Sequence, residues 1–388
     1  MLPIHPQPQP KEILSSWMVR LAMANGFPLH TFYANLLGFK PPIWNRDTDR
    51  HPSFALLDLL SRQTGQSLTV LDGLTLKAYE GILFEELPLI GNAPWILPLG
   101  IFHRIHRRGG MQFCPLCLQF DTICYYRRCW RLSIYAVCEH HHCVMQEYCP
   151  SCHAPVAYHR HGIGRNVNIP AHSLRICHQC KFDLRNTAPT YFNWPDASSW
   201  VTFTILISDF EQELRRCEKF PLPYGVMLFE GLHALIGLVR SRNGGRLRQR
   251  LKKEFGMEIS TGISAGQFEF EFLNAMDRLK LLLSVIWLLE DWPVRFASLS
   301  LEVGLTRSRL SEKVQSLPFW LSSMADEYLD HRPYFINEDE ILAAGVYLVS
   351  QNKEVTPSTL KEILGVAKGV AGNAWHIWKQ HYPDKGGL

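Results

Sequence analysis

Ten of the eleven cysteines of this 388-residue chain fall between Cys114 and Cys180, and no other feature restricts the fold as tightly. They come in short pairs: Cys114-x2-Cys117, Cys138-x2-His141, Cys149-x2-Cys152 and Cys177-x2-Cys180. A two-residue gap lets both side chains of a tight turn point at one ion, so each pair supplies half of a tetrahedral zinc site. Taken in order, Cys114/Cys117 close with Cys138/His141 across 20 intervening residues, and Cys149/Cys152 close with Cys177/Cys180 across 24. Each site then has four protein ligands and no place for water or substrate, which is the pattern of structural rather than catalytic metal. Such ions contribute on the order of 10–16 kcal/mol of apparent binding energy to small domains. They are expected here to hold a segment too polar to fold on an apolar core alone.

The competing reading is a disulfide framework, which suits small secreted chains. It fits poorly where the cysteines occupy one segment of a long chain. Met1–Lys11 also lacks the cationic start and apolar run of a signal peptide. His140, His142 and Cys143 crowd the same turn as His141, so the fourth ligand of the first site stays open among the four. Cys124 and Cys129 read as packed or free thiols.

Net charge is only +4, so partners have to be sought in local clusters. Gly100–Arg131 holds the arginines 104, 107, 108, 127, 128 and 131 against one acid, Asp121. Tyr125-Tyr126-Arg127-Arg128-Cys129-Trp130-Arg131 reads as a basic aromatic strand that returns to the metal and grips phosphates, bases or an acidic protein surface, with a solvated strand as the bland alternative. Replacing Arg127, Arg128 and Arg131 is expected to leave the fold intact. A second basic run, Arg240–Lys253, contains Arg246 and Arg248 and no acid. No apolar run reaches the ~20 residues that a membrane span needs, so the expected location is the bacterial cytoplasm, on DNA when engaged.

The rest of the chain has helical periodicity. Glu12–Asn25 puts Leu14, Trp17, Met18 and Leu21 on one face, and Leu29–Leu37 repeats the pattern. Ser53 and Ser67 are placed to cap two further helices, carrying Phe54, Leu57 and Leu60, then Leu68, Leu71 and Leu74. Trp200, Phe203, Leu206, Ile207 and Phe210 form one later face, and Phe272, Met276, Leu279, Leu283 and Ile286 another. Two helix-turn-helix candidates follow. One turns at Gly304 and presents Thr306, Arg307, Arg309 and Lys313; the other turns at Gly365 and presents Asn373 and His376. The expected fold is mainly α with small β zinc ribbons. Helical domains (1–100 and 291–388, both helix-turn-helix-like, and 191–290) flank two tandem structural zinc-binding ribbons (101–190).

Several motifs taken together resemble the TniQ family of transposition target-selection proteins. They are Leu14-x-Ser16-Trp17-x3-Leu21-Ala22-x2-Asn25-Gly26, Phe113-Cys114-Pro115-x-Cys117, Tyr126-x3-Trp130-Arg131, Cys138-x2-His141 and Cys149-Pro150-x-Cys152. The family usually has a small residue after the His ligand, where this chain has His142. The resemblance implies a non-catalytic adaptor, holding two structural Zn2+ ions, that links a target-recognition complex or target DNA to an AAA+ transposition regulator of the TnsC/TniB kind. Some shorter members dimerise and dock on an RNA-guided Cascade complex, which makes a homodimer and a CRISPR-associated transposon the implied setting. The runner-up is a sequence-specific DNA reader of TnsD type acting without guide RNA. A zinc hydrolase comes a distant third: the chain has no His-Glu-x-x-His, no phosphate-binding Gly loop and no Gly-x-Ser-x-Gly elbow.

Overall fold

The computed structural model describes residues 1–44, 46–102, 105–108, 110–161, 173–211, 225–241, 244–259, 270–311, 317–329, 336–366 and 368–383. Arg104, Lys313 and the C-terminal tail from 384 lie outside them. The described chain is mostly helical with almost no strand. None of its helices is long and apolar enough to cross a membrane.

Helix α1 (Leu14–Ala24) buries Leu14, Trp17, Met18 and Leu21 as its periodicity requires. The proline-rich arm before it is fastened down: the Trp17 indole donates to the Pro6 carbonyl at 2.8 Å, and Leu2 N–H donates to the Gln63 carbonyl at 2.7 Å. The next apolar stretch winds as a π-helix, Thr31–Leu36, rather than the expected α-helix. Ser53 and Ser67 do cap α2 (Phe54–Thr64) and α3 (Leu68–Gly73), each accepting from the backbone N–H three residues on. Two expected core residues face outward: Phe54 is 71% and Leu68 40% exposed, because each is the first residue of its helix.

The cysteine segment departs most from expectation. A short hairpin, β1 (Gly100–Phe102) with β2 (Ile105–Arg108), leads into α4 (Pro115–Phe120). Instead of a strand, Arg128–Arg131 forms a 3-10 turn. The small ribbons are reduced to isolated antiparallel bridges, Phe113 with Gln146, Val137 with Val144, Tyr148 with Pro155 and Ile176 with Asp183. Nor is the segment too polar for a core. Phe113, Tyr126, Trp130, Leu132, Val137, Cys114 and Cys138 are fully buried.

Helices α5 (Ala197–Glu211), α6 (Val226–Arg240), α7 (Gly245–Phe255), α8 (Ala275–Leu289), α9 (Val294–Val303), α10 (Arg307–Ser311) and α11 (Phe319–Tyr328) follow. The central one, α8, is capped by Asn274 and packs against α5, α6 and α9. Two largely buried polar joints tie these helices to the first half of the chain. Arg278 of α8 donates to Glu147 and to Gln112, both at 2.8 Å. Glu271 accepts from Trp95 N–H at 2.8 Å and lies 2.9 Å from His233 Nε2. One hydrophobic cluster therefore runs from Leu2 to Leu329. A second, from Ile336 to Trp378, belongs to α12 (Glu338–Ser350), α13 (Pro357–Leu364) and α14 (Lys368–His381).

Candidate metal centres and their surroundings

The first site is assembled at the end of two turns. Cys114 caps α4, its sulfur accepting the Cys117 N–H at 3.4 Å, which swings both thiols to one side. The opposite turn brings in Cys138 and His141. His141 Nδ1 lies 3.5 Å from Cys114 Sγ, 3.3 Å from Cys117 Sγ and 3.6 Å from Cys138 Sγ, with Cys117 and Cys138 sulfurs 3.6 Å apart. Metal–sulfur bonds of about 2.3 Å and metal–nitrogen bonds of about 2.0–2.1 Å at tetrahedral angles put donors roughly 3.5–3.8 Å apart. The cage fits one tetrahedral ion. The second site gathers Cys149, Cys152, Cys177 and Cys180, with Cys149–Cys180 and Cys152–Cys177 each at 3.6 Å.

His141, left open among its neighbours by the sequence, is the histidine in the cage. His140 sits 3.5 Å from Glu139, and His142 turns the backbone at φ 51°. Cys143 is fully buried with its sulfur 3.5 Å from Cys114 Sγ, yet it stands outside the four-donor group. Cys124 and Cys129 are also outside it, and burial pushes the Cys124 thiol up to about 12.

Three of the four knuckles share one backbone device that spacing does not reveal. After Cys138, Cys149 and Cys177, the fourth residue on (His142, His153, Lys181) takes a left-handed φ of 51°, 56° and 68°. Its N–H returns to the carbonyl of the first cysteine, and that cysteine's own N–H bonds the carbonyl of the fifth residue on: Cys143, Ala154 and Phe182. Each loop closes on itself and delivers both donors to one side. One donor in each cage is biased toward the thiolate that a metal takes. Cys114 is held well below the usual thiol range by its hydrogen bonds with Cys117, Cys138 and Cys143. At Cys180 a small burial penalty is outweighed by the Phe182 N–H and the neighbouring thiols, which bring it down to about 6.

The arginines expected to face a partner from the 127–131 segment point inward. Arg127 pairs with Asp121 at 2.9 Å beneath Tyr125 and Trp130. Arg128 donates to the Gly73 carbonyl and covers the Tyr79 ring. Arg131 is 1% exposed and reaches Asp47 at 2.7 Å and Asp49 at 3.3 Å. Ser15 completes that cluster, donating to Asp49 from N–H and hydroxyl at 2.8 Å each and touching the Tyr158 hydroxyl at 2.6 Å. The basic aromatic segment is thus a clamp between α1, the 46–49 loop and the cysteine turns. Sequence reading missed Asp47 and Asp49, whose only signal was two acids in a loop otherwise short of structure.

Elsewhere, Arg248 caps the end of α6 through the Val239 and Ser241 carbonyls, and Arg307 pairs with Asp326. Arg309 donates to the Gly304 carbonyl at 3.3 Å, and Arg246 is exposed on the first turn of α7 near Gly304. Arg107 and Arg108 lie on β2. No curated protein matches the chain. Residues 3–145, from the fastened arm through α1, the Arg131 clamp and the whole of the first metal site, match the TniQ family model.

Proposed function

We propose that this chain is a non-catalytic targeting adaptor of transposition, linking a marked target to an AAA+ transposition regulator. The observation that carries the reading is the TniQ match over residues 3–145, which ends just past the closed knuckle of the first metal cage. Thiolate-rich tetrahedral cages suit zinc, and with every donor taken from protein such an ion holds turns together without opening a position for substrate. Two Zn2+ ions, one in each cage, would act with the Arg131 clamp and the Arg278 and Glu271 joints to make a stiff platform. The partners of this reading are the regulator, target DNA and, where the element carries one, a guide-RNA Cascade complex; the adaptor works as a homodimer.

A second reading, direct DNA recognition, is favoured by one feature. Gly369, Asn373, His376 and Gln380 line one exposed face of α14. Against it, Lys353, Lys361, Lys368 and Lys379 stand beside Glu338, Asp339, Glu340, Glu354 and Glu362, which leaves this unit without excess positive charge. Mobility shift at physiological salt separates the two. A reader with six to ten phosphate contacts binds DNA alone and loses roughly 10³–10⁵ in affinity between 50 and 200 mM salt. An adaptor co-elutes with the ATP-bound regulator and retards DNA only in its presence; retardation by the chain alone would overturn the adaptor reading.

A further inference from the structure

We propose that the turn Pro88-Leu89-Ile90-Gly91 is a preformed docking knob for a protein partner whose surface offers an apolar pocket rimmed by lysine or arginine. Leu89 is 81% and Ile90 90% exposed, adjacent to one another on a single tip. Single exposed aliphatics are ordinary on a protein surface; a pair held out on an anchored turn is not.

The anchoring is extensive. Arg50 donates to the Gly91 carbonyl at 2.6 Å and also to the Pro88 carbonyl, and His51 Nε2 donates to Pro88 at 2.8 Å. Gly91 has the left-handed φ of 77° that closes the turn. Leu87, immediately before it, is buried and donates its N–H to Glu80 at 2.9 Å. Arg50 and His51 are themselves tied back to the Asp47 carbonyl, and Asp47 pairs with Arg131. A continuous path of hydrogen bonds and ion pairs thus joins the tip to the buried Arg131 clamp. A tip fixed in advance has little ordering entropy to lose on binding.

The charge around the tip selects the occupant. Glu85 and Glu86 are exposed just before it, while the Arg50 guanidinium is occupied by the Pro88 and Gly91 carbonyls of the turn itself, so the acidic side of the tip attracts a cationic protein rim. The assignment rests on the adaptor reading and gives that adaptor a surface for its ATPase regulator.

The test compares the full chain with Leu89→Asp/Ile90→Asp and Glu85→Lys/Glu86→Lys variants, measuring binding to the purified AAA+ regulator with ATP at physiological salt. Because all four side chains are exposed, melting and metal content are expected to be unchanged. The aliphatic pair should weaken binding at least ~10-fold, as hot-spot loss does. The acidic pair should mainly slow association, an effect that added salt erases. If wild type binds and the aliphatic variant binds equally well, the knob is the wrong surface while the adaptor stands. If wild type does not bind, the adaptor reading falls and the knob with it. If the aliphatic variant turns a dimer into a monomer by sedimentation and still binds the regulator, the turn is a contact between copies and the proposal fails.

Discussion

A guanidinium shut away from water needs carboxylates at hand, and Arg131 has Asp47 and Asp49. Arg131→Ala would leave two acids buried beside each other, at a cost of about 3–5 kcal/mol. The exposed Arg246→Ala should stay within about 0.5 kcal/mol; denaturant midpoints of the two variants check the contrast. The same cluster sets a pH dependence. Burial first of all, relieved by Arg131 and the Ser15 donors but worsened by Asp47, raises Asp49 from 3.8 to about 6. A carboxyl raised in the folded state contributes stability that is complete below 3.8 and is lost as pH rises through about 6. Wild type should therefore lose stability relative to Asp49→Asn between about pH 4 and 6 and run parallel to it above that, and parallel curves throughout would contradict the burial argument. At the metal, elemental analysis discriminates neighbours three atoms' reach apart. His141→Ala is expected to keep one ion per chain and Cys143→Ala both, since only His141 contacts all three cysteine sulfurs.

Among the elements, the C-terminal three-helix unit shows how a small core depends on close approach. Gly345 of α12 faces the Trp378 indole so closely that an added Cβ would lie 2.1 Å from the ring. Trp378 is 1% exposed and fills a core of few side chains, so the ring has little room to retreat. Gly345→Ala should destabilise this unit by about 1–3 kcal/mol, as overpacking does. Faster hydrogen exchange confined to residues 336–383, with metal content unchanged, is the expected readout, and unaltered exchange would mean the helices can part. The knuckles are elements of another kind, where His142, His153 and Lys181 accept a left-handed backbone because hydrogen bonds on both sides close the loop around them.

For the whole molecule, the metal cages are set inside the main core. Cys114, Cys117, Cys138, Cys149 and Cys177 belong to the same hydrophobic cluster as Leu14, Trp17 and Leu283. Removing the ions with a strong chelator should therefore loosen more than the cysteine turns. We expect exchange protection to fall in α1 and near Arg278 as well, with a loss of melting cooperativity, because Glu147 and Gln112 reach Arg278 from the metal-binding half. Retention of full protection in α1 after chelation would show that the two halves fold apart.

Cysteine spacing determined the two donor sets, since a two-residue gap makes neighbouring thiols convergent whatever surrounds them. Local rules were equally legible: the Ser53 and Ser67 caps, the buried stripe Leu14, Trp17, Met18 and Leu21, and the Gly304 and Gly365 turns follow from residues a few positions apart. Only tertiary structure decided whether a charge faced water. Arg131 and Asp49 are 82 residues apart and Arg278 and Glu147 are 131 apart, and nothing local distinguishes an arginine that grips phosphate from one that pairs inside. The same distance hid the anchored turn at Leu89–Ile90, whose restraint comes from Arg50 and His51 across the fold. Backbone geometry and short-range spacing are written locally; burial is a property of what the rest of the chain brings alongside.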